Sequence, residues 1–292
     1  MEAREGTITV QGFKLFYRSV GDASNSSRTL LGLHGGPGAS LDYLKSLDVL
    51  TKYGYRVVLY NQLGSDKSEM PDDNAHFTVE HYVEEVHGVR EALNLGKVHL
   101  LGHSWGGMLA IAYALKYQES LRSLIICSGL ASVPLAQRET DRLVAEMPEE
   151  GRRVLRKYTS EGVYDNKEYL NAYQKYYRDV HSFRGKERPE ELDYTLHHMS
   201  RRVYYYMNGP SDLNMNGTLK DWDVTDQLHK LRVPCLITVG KYDSVTPKVS
   251  ESIHERIKGS ELVTFENSGH FAMWEERERF LDVVRRFLDR VS

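Results

Sequence analysis

Residues 97–117 read KVHLLGHSWGGMLAIAYALKY and combine three local signals. The apolar run that ends at Leu101 predicts a buried strand, and the residues after Ser104 have the spacing and composition of a helix. Ser104 is therefore expected at a strand-to-helix turn, where the pattern Gly-x-Ser-x-Gly is typical of a catalytic nucleophile. Gly102 and Gly106 suit this turn, because they let the backbone bend sharply and the helix approach the strand. Serine is also a favoured helix N-cap, so the pattern alone leaves a purely structural role open.

Five further apolar runs of strand length alternate along the chain with helix-like segments. These five runs predict strands at 29–34, 56–60, 123–128, 235–240 and 261–265, in addition to the strand at 97–103. Strands that are buried on both faces and connected through helices form a mostly parallel sheet. Alternating segments at 7–10 and 14–20 predict an antiparallel hairpin at one edge of this sheet. The expected fold class is α/β, with a mostly parallel sheet flanked by helices.

The alternation of strands and helices stops between residues 131 and 221. This stretch is charged, rich in tyrosine and without a convincing buried strand, so we expect a helical domain inserted after one strand. The predicted organisation is a core formed by residues 1–130 and 222–292, with a helical cap formed by residues 131–221.

Two residues in the second half of the chain are suited to activate Ser104. A serine hydroxyl needs a histidine base, which is in turn held by a carboxylate. Asp243 lies just past the strand at 235–240, and His270 lies five residues beyond the strand at 261–265. Taken singly, each residue also fits a structural role in a turn or a surface loop. Their placement in the order serine, acid, histidine, each after a strand, is typical of the α/β-hydrolase fold and predicts a catalytic triad.

The stretch HGGPG at 34–38 follows the strand at 29–34 and supplies a further part of the site. Acyl transfer requires two N–H donors directed at the developing oxyanion, one from the residue after the nucleophile and one from this loop. We predict that the backbone N–H groups of Gly36 and Trp105 are these donors. A plain glycine-proline turn is the structural alternative.

Composition excludes several classes of function. The 292 residues carry a formal net charge of −3 and no long basic run, which argues against nucleic acid or an anionic membrane surface as a partner. The charged start and the lack of a long apolar run predict a cytoplasmic protein with no membrane span. Cys127 and Cys235 are expected to be buried reduced thiols, and the pair His197-His198 lacks a metal-binding spacing. We expect no metal, no cofactor and a monomer.

Four motifs resemble those of the proline iminopeptidases, which are α/β-hydrolase aminopeptidases. They are HGGPG at 34–38, GHSWGG at 102–107, GKYDSVTP at 240–247 and NSGH at 267–270. The resemblance implies a helical cap over the active site and release of an N-terminal residue, often proline, from short peptides. The family group also contains amino-acid amide hydrolases. The resemblance is strongest to the archaeal tricorn-interacting aminopeptidases, which implies a functional link to a tricorn-like protease.

The same resemblance suggests which residues bind the substrate. In the family, carboxylates from the cap and from beside the triad acid hold the charged amino group of the substrate. Asp212 stands in the cap segment where a glutamate is common, and Ser244 stands where a second glutamate can follow the triad aspartate. Tyr205, just before the segment MNGPSD, is a further candidate. Asn61 and Asp66 depart from the family motif around YNQLGSDKS, and we expect both to have structural effects.

Other functions remain compatible with the same residues. An amino-acid amidase, an esterase or a lactonase uses the same triad, and the last two need not bind an amine. A binding protein that retains a hydrolase fold without catalysis is the non-enzymatic alternative. The complete set of serine, histidine, aspartate and two oxyanion donors favours an enzyme.

Overall fold

A computed structural model describes residues 2–23 and 28–292. Within them, eight strands form one sheet in the order β1-β2-β4-β3-β5-β6-β7-β8. The strands are β1 (Arg4–Val10), β2 (Phe13–Val20), β3 (Thr29–Leu33), β4 (Arg56–Tyr60), β5 (Val98–His103), β6 (Leu121–Cys127), β7 (Cys235–Gly240) and β8 (Glu261–Phe265). The pairs β1-β2 and β2-β4 are antiparallel, and all the other neighbouring pairs are parallel. The predicted edge hairpin and mostly parallel sheet are therefore confirmed.

Helices cover both faces of the sheet. They are α1 (Val79–Ala92), α2 (Trp105–Tyr117), α3 (Val133–Glu146), α4 (Glu149–Ser160), α5 (Lys167–Tyr173), α6 (Glu190–His197), α7 (Arg201–Met207), α8 (Pro247–His254), α9 (Ala272–Glu275) and α10 (Arg277–Val291). A 3-10 helical stretch, Asp42–Tyr53, precedes β4. Apolar residues of α1, α2 and α8 form a hydrophobic cluster on one face. Those of α10 and the 3-10 stretch form a second cluster on the other face.

Alternation along the strands divides the sheet residues between these two clusters. Leu31 and Val58 belong to the first cluster, whereas Leu30 and Val57, their neighbours in sequence, belong to the second. Successive side chains of a strand point to opposite faces, so a strand buried on both sides is apolar at nearly every position. This explains why short continuous apolar runs predicted the strands. Cys127 and Cys235 lie within this core as buried free thiols, as the sequence predicts.

The chain between β6 and β7 contains α3 to α7 and a π-helical stretch, Gln174–Ser182. No strand occurs in the described residues between β6 and β7; only isolated bridges involve them, Ser132 with Asp223 and Ser211 with Asn214. The helices have a small hydrophobic cluster of their own, which includes Leu143, Leu155, Tyr169 and Leu213. The division into a core and a cap at residues 131 and 221 stays a prediction. In the two described ranges, no helix is long and apolar enough to cross a membrane.

Candidate active site

Ser104 lies at the turn between β5 and α2. Its backbone has φ 59° and ψ −123°, and its side chain makes no capping hydrogen bond to α2. A Cβ atom at Gly102 would lie 2.0 Å from the carbonyl oxygen of Gly106, and one at Gly106 would lie 2.2 Å from that of Leu33. Larger residues would therefore force the strand and helix apart. The positive φ and the missing cap contact favour the nucleophile interpretation over an ordinary N-cap.

Asp243 and His270 follow the neighbouring strands β7 and β8 and contact each other. The Oδ1 atom of buried Asp243 lies 2.6 Å from His270 Nδ1 and also accepts the backbone N–H of Val245 at 2.8 Å. This pairing keeps the proton on Nδ1 and leaves Nε2 of the neutral imidazole able to accept a proton. Burial lowers the pKa of His270, but the charge and hydrogen bond of Asp243 outweigh burial, so the pKa is raised above its ordinary value of 6.5.

Gly36 and Trp105 both face the same cavity as Ser104. Among the described residues, no group accepts a hydrogen bond from either backbone N–H. Trp105 is the first residue of α2, where an N–H group has no partner within the helix. Gly36 has φ 110°, a conformation that favours glycine, and is joined to Pro37 by a cis peptide bond. Both N–H groups are thus available to an anion at the helix N-terminus.

Gln62 connects Trp105 to His34, at the start of the loop that contains Gly36. Its side-chain amide donates to the carbonyl oxygen of His34 at 2.9 Å, and its Oε1 accepts the indole N–H of Trp105 at 2.7 Å. The backbone N–H of Gln62 donates to His34 Nε2 at 3.0 Å. Burial lowers the pKa of His34 to about 4, so this ring stays neutral and accepts that bond. Sequence reasoning missed this role, although Gln62 lies in the motif that it had singled out.

A buried relay joins the loop after β3 to the loop of His270. Tyr43 Oη accepts the backbone N–H of Gly35 at 2.7 Å and lies 2.8 Å from His103 Nδ1. The Nε2 atom of His103 lies 2.8 Å from the carbonyl oxygen of His270. A carbonyl only accepts, so Nε2 carries the proton and Nδ1 accepts from the tyrosine hydroxyl. Burial lowers the pKa of His103 well below its ordinary value, which keeps a second positive charge away from His270.

Glu275 holds the backbone on both sides of His270. Its Oε2 accepts the N–H of Gly269 at 3.0 Å and that of Phe271 at 3.2 Å, while Oε1 accepts the N–H of Arg184 at 2.7 Å. The carboxylate therefore fixes the loop without touching the imidazole. The sequence offered no signal for this role, because an acidic residue in a charged helical segment has many ordinary explanations.

The candidate triad opens into a cavity of about 320 Å³ between the sheet and the helices that follow β6. Predicted site residues among its lining are Gly36, Ser104, Trp105, Tyr205, Asp212, Ser244 and His270. Asp243 lies behind His270 and is fully buried. The structure thus brings together every residue predicted for the site.

Asp212 is held by two tyrosine hydroxyls that the sequence analysis had not selected. Tyr173 donates to Oδ2 of Asp212 at 2.7 Å, and Tyr204 donates to Oδ1. Tyr205 also lines the cavity, but 49% of its surface is exposed. Because successive residues of a helix point about 100° apart, three consecutive tyrosines in α7 cannot all face the cavity. Sequence alone could not decide which of them does.

Asn61 and Asp66 contact each other. Asn61 Nδ2 donates to Oδ2 of Asp66 at 3.1 Å, and its Oδ1 accepts the N–H of Leu41 at 2.8 Å. Tyr194 in α6 donates to the other oxygen of Asp66 at 3.3 Å. An aspartate at position 61 would oppose Asp66 with a like charge, so the amide is the better partner. Both departures from the family motif thus take part in hydrogen bonds between loops, and the expectation that their effects are structural stays a prediction.

No group of three or more histidine, cysteine, aspartate or glutamate residues suited to a metal ion is present in the part of the chain that the structure describes. The Nδ1 atoms of His197 and His198 lie close to the backbone carbonyl oxygens of Asp193 and Tyr194, at 2.7 and 2.8 Å.

The chain is similar to known proteins in sequence and in fold. The family model described as alpha/beta hydrolase fold matches residues 28–277. A proline iminopeptidase of Saccharolobus solfataricus is 46% identical, with 100% of this chain and 94% of the relative covered. One of Thermoplasma volcanium is 42% identical, with 98% and 97% covered. The crystal structure of a Mycobacterium smegmatis proline iminopeptidase superposes with a TM-score of 0.91 at 31% identity, covering 98% of each chain.

The chain belongs to the proline iminopeptidase family. It is therefore a hydrolase of the aminopeptidase class with the α/β-hydrolase fold. Membership in the proline iminopeptidase family confirms the family resemblance and the fold class predicted from the sequence. It also argues against a binding protein that has no catalytic activity.

Proposed function

We propose that this enzyme releases N-terminal proline, and other apolar N-terminal residues, from short peptides through an acyl-enzyme intermediate. The observation that carries the proposal is the pairing of Asp243 with His270, at 2.6 Å, in the cavity that Ser104 also lines. The names of the relatives support proline as the released residue. The helices within residues 131–221 are proposed to act as the cap over this cavity.

In the first half of the proposed reaction, Ser104 Oγ attacks the scissile carbonyl carbon while His270 Nε2 takes the hydroxyl proton. The N–H groups of Gly36 and Trp105 bind the resulting oxyanion. Asp243 maintains the tautomer of His270 and stabilises the imidazolium. The C–N bond then breaks, and the proton on His270 passes to the leaving amine.

In the second half, a water molecule attacks the acyl-enzyme and gives one proton to His270. Collapse of the second tetrahedral intermediate breaks the bond to Ser104 Oγ, and the proton returns to the serine. The amino acid leaves with a carboxylate, and the enzyme is restored. The proposed reaction uses only the enzyme, the substrate and water, and it requires no redox partner or cofactor.

The proposed anchor for the substrate's amino group is Asp212. Its two carboxylate oxygens accept hydrogen bonds from Tyr173 and Tyr204, which direct the carboxylate within the cavity. An ammonium group bound there would form a charge-assisted hydrogen bond. Ser244 and Tyr205 complete the proposed amine site. Ser244 carries no charge where relatives often have a glutamate, so amides or esters are the competing substrate classes.

A variant at Asp212 tests the amine anchor. Asp212→Asn is expected to lower kcat/KM for a prolyl arylamide by about ten-fold or more, because a hydrogen bond to a charged group contributes about 1.5–3 kcal/mol. Hydrolysis of a simple acyl ester should change little, since an ester has no ammonium group to lose. The measurement is a parallel set of kcat/KM values for prolyl arylamide, its N-blocked form, proline amide and the ester.

Ser244→Glu provides the opposite change and should raise the preference for free amines over the ester. If Asp212→Asn lowers kcat/KM equally for the arylamide and the ester, Asp212 has a structural role and the amine site is wrongly assigned. Efficient cleavage of the ester with no cleavage of any free-amine substrate would favour an esterase or lactonase. The monomeric state, the cytoplasmic location and the link to a tricorn-like protease stay predictions that rest on the sequence.

A further inference from the structure

Arg178 lies where the active-site cavity meets a second, more polar cavity. It belongs to the π-helical stretch Gln174–Ser182 and lines both spaces, the second of which has a volume of about 500 Å³. Ser182, at the end of the same stretch, accepts the backbone N–H of His270 at 2.8 Å. The guanidinium is therefore attached to a segment that directly contacts the catalytic loop.

The charge of Arg178 has no ion-pair or hydrogen-bond partner among the residues that the structure describes, and its guanidinium carbon lies 6.0 Å from the centre of the Tyr173 ring. No carboxylate oxygen lies within the 4 Å of an ion pair, and no hydrogen bond leaves the guanidinium. Asp212 is near enough to act on its charge, but Tyr173 and Tyr204 already donate to the two oxygens of Asp212. Burial opposes the charged form, yet Tyr173 and Asp212 outweigh burial and raise the pKa of Arg178, so the guanidinium stays charged.

Other arginines of the same helical region have partners. Arg142 binds the carboxylates of Glu139 and Glu146, and Arg202 donates to three oxygens. A partly buried guanidinium that forms no hydrogen bond to the protein gives up part of its hydration for only a distant ring contact. A site that binds an anion would supply the missing partner. The planar guanidinium is suited to a carboxylate, which it can bind through two parallel hydrogen bonds.

We propose that Arg178 binds a carboxylate of the substrate, so that the enzyme recognises both charges of a short zwitterionic peptide. This inference rests on the proposed function, with Asp212 holding the ammonium group. An extended dipeptide spans about 7 Å, which suits two opposite charges in the cavity lining that do not form an ion pair with each other. The carboxylate comes either from the peptide C-terminus or from an acidic side chain, and the chemistry at Arg178 is the same.

The test compares substrate pairs that differ only in a carboxylate. One pair is prolylglycine and prolylglycinamide, and the other is glutamyl and glutaminyl 4-nitroanilide. For the wild type, we expect a higher kcat/KM for the carboxylate member of at least one pair. Arg178→Gln should reduce that preference by about ten- to a hundred-fold. Arg178→Lys, which retains the positive charge but lacks the paired N–H donors of the guanidinium, should restore part of that preference.

Arg153→Gln is the control, because it removes an exposed arginine charge from α4 in the same helical region, at a position that lines neither cavity. The control should leave unchanged, in both substrate pairs, the ratio of kcat/KM for the carboxylate member to kcat/KM for its neutral counterpart. If Arg178→Gln lowers the kcat/KM ratio for the dipeptide pair alone, the bound group is the C-terminal carboxylate. If it lowers the ratio for the 4-nitroanilide pair alone, the bound group is the acidic side chain. The inference would be overturned if Arg178→Gln left both kcat/KM ratios unchanged, or if it lowered kcat/KM equally for all four substrates. Cleavage of prolyl 4-nitroanilide, which has no carboxylate, tests the proposed function separately.

Discussion

His270 is under two opposing influences, and their balance determines when it can act as a base. Burial alone would lower its pKa, whereas the carboxylate of Asp243 at 2.6 Å raises it. The second effect is the larger, so the imidazole retains its proton to a pH above 6.5. Because only the neutral ring can accept the proton of Ser104, activity should be lost as the pH falls through this raised pKa.

Asp243→Asn tests this balance. Without this negative charge, only the weaker influences of Asp212 and Glu275 oppose burial, so the acid limb of the pH profile of kcat/KM should move to lower pH. The rate on the plateau should fall by about 10⁴-fold, because the amide favours the wrong tautomer of His270. The measurement is kcat/KM for a prolyl arylamide between pH 4 and pH 9. An acid limb that stays in place would mean that a group other than His270 controls it.

At the residue scale, the sequence analysis selected residues whose type and position are both restrictive, and the structure brings these residues together. Ser104, Asp243 and His270 each follow a strand, and few other residue types can replace them in this chemistry. Gln62 and Glu275 act through backbone groups, and a residue that holds a backbone N–H can lie almost anywhere in sequence. Their roles therefore required the three-dimensional structure.

At the scale of elements, the relay through Tyr43 and His103 connects the ends of three strands. It runs from Gly35 after β3, through His103 at the end of β5, to the carbonyl of His270 after β8. Tyr43 and His103 are buried, so a group that loses its hydrogen bond to the tyrosine hydroxyl has no water to replace it. The relay holds the loop of Gly35 relative to the loop of His270.

Tyr43→Phe removes the central hydroxyl and leaves the Gly35 N–H and His103 Nδ1 without partners. We expect kcat to fall by about ten-fold with little change in KM, because the loops it aligns act on the transition state. Tyr55→Phe is a suitable control, since it removes a hydroxyl from another fully buried tyrosine that binds Asp289 instead. Thermal unfolding of both variants separates stability from alignment. An equal fall in kcat for both would contradict a positioning role.

Elements of the sheet were easier to predict than those of the insertion. Strands such as β3 and β7 are buried at every position, so their sequences are short and almost continuously apolar. In the insertion, partly exposed helices and a π-helical stretch share similar compositions of tyrosine and charge. Their boundaries depend on packing in a small cluster of their own, which local sequence does not encode.

On the scale of the whole molecule, the candidate active site lies between the sheet and the segment that connects β6 to β7. This segment has a small hydrophobic cluster of its own, but residues such as Val203 and Leu192 pack into the two clusters of the sheet. Ser104, Asp243 and His270 follow strands of the sheet, while the connecting segment carries Asp212, Tyr204 and Arg178. We therefore expect the chemistry to depend on the sheet and recognition of the substrate to depend on the connecting segment.

The identity of the nucleophile is the central claim, and covalent labelling tests it most directly. Wild-type enzyme and Ser104→Ala are treated with a fluorophosphonate, the adduct is located by mass spectrometry, and prolyl arylamide cleavage is followed in parallel. We predict a single adduct on Ser104, with activity lost in proportion to labelling. Ser104→Ala should be folded, unlabelled and slower by a factor of about 10³ or more. Near-normal activity of Ser104→Ala, or an adduct on another residue that accompanies the loss of activity, would contradict the account.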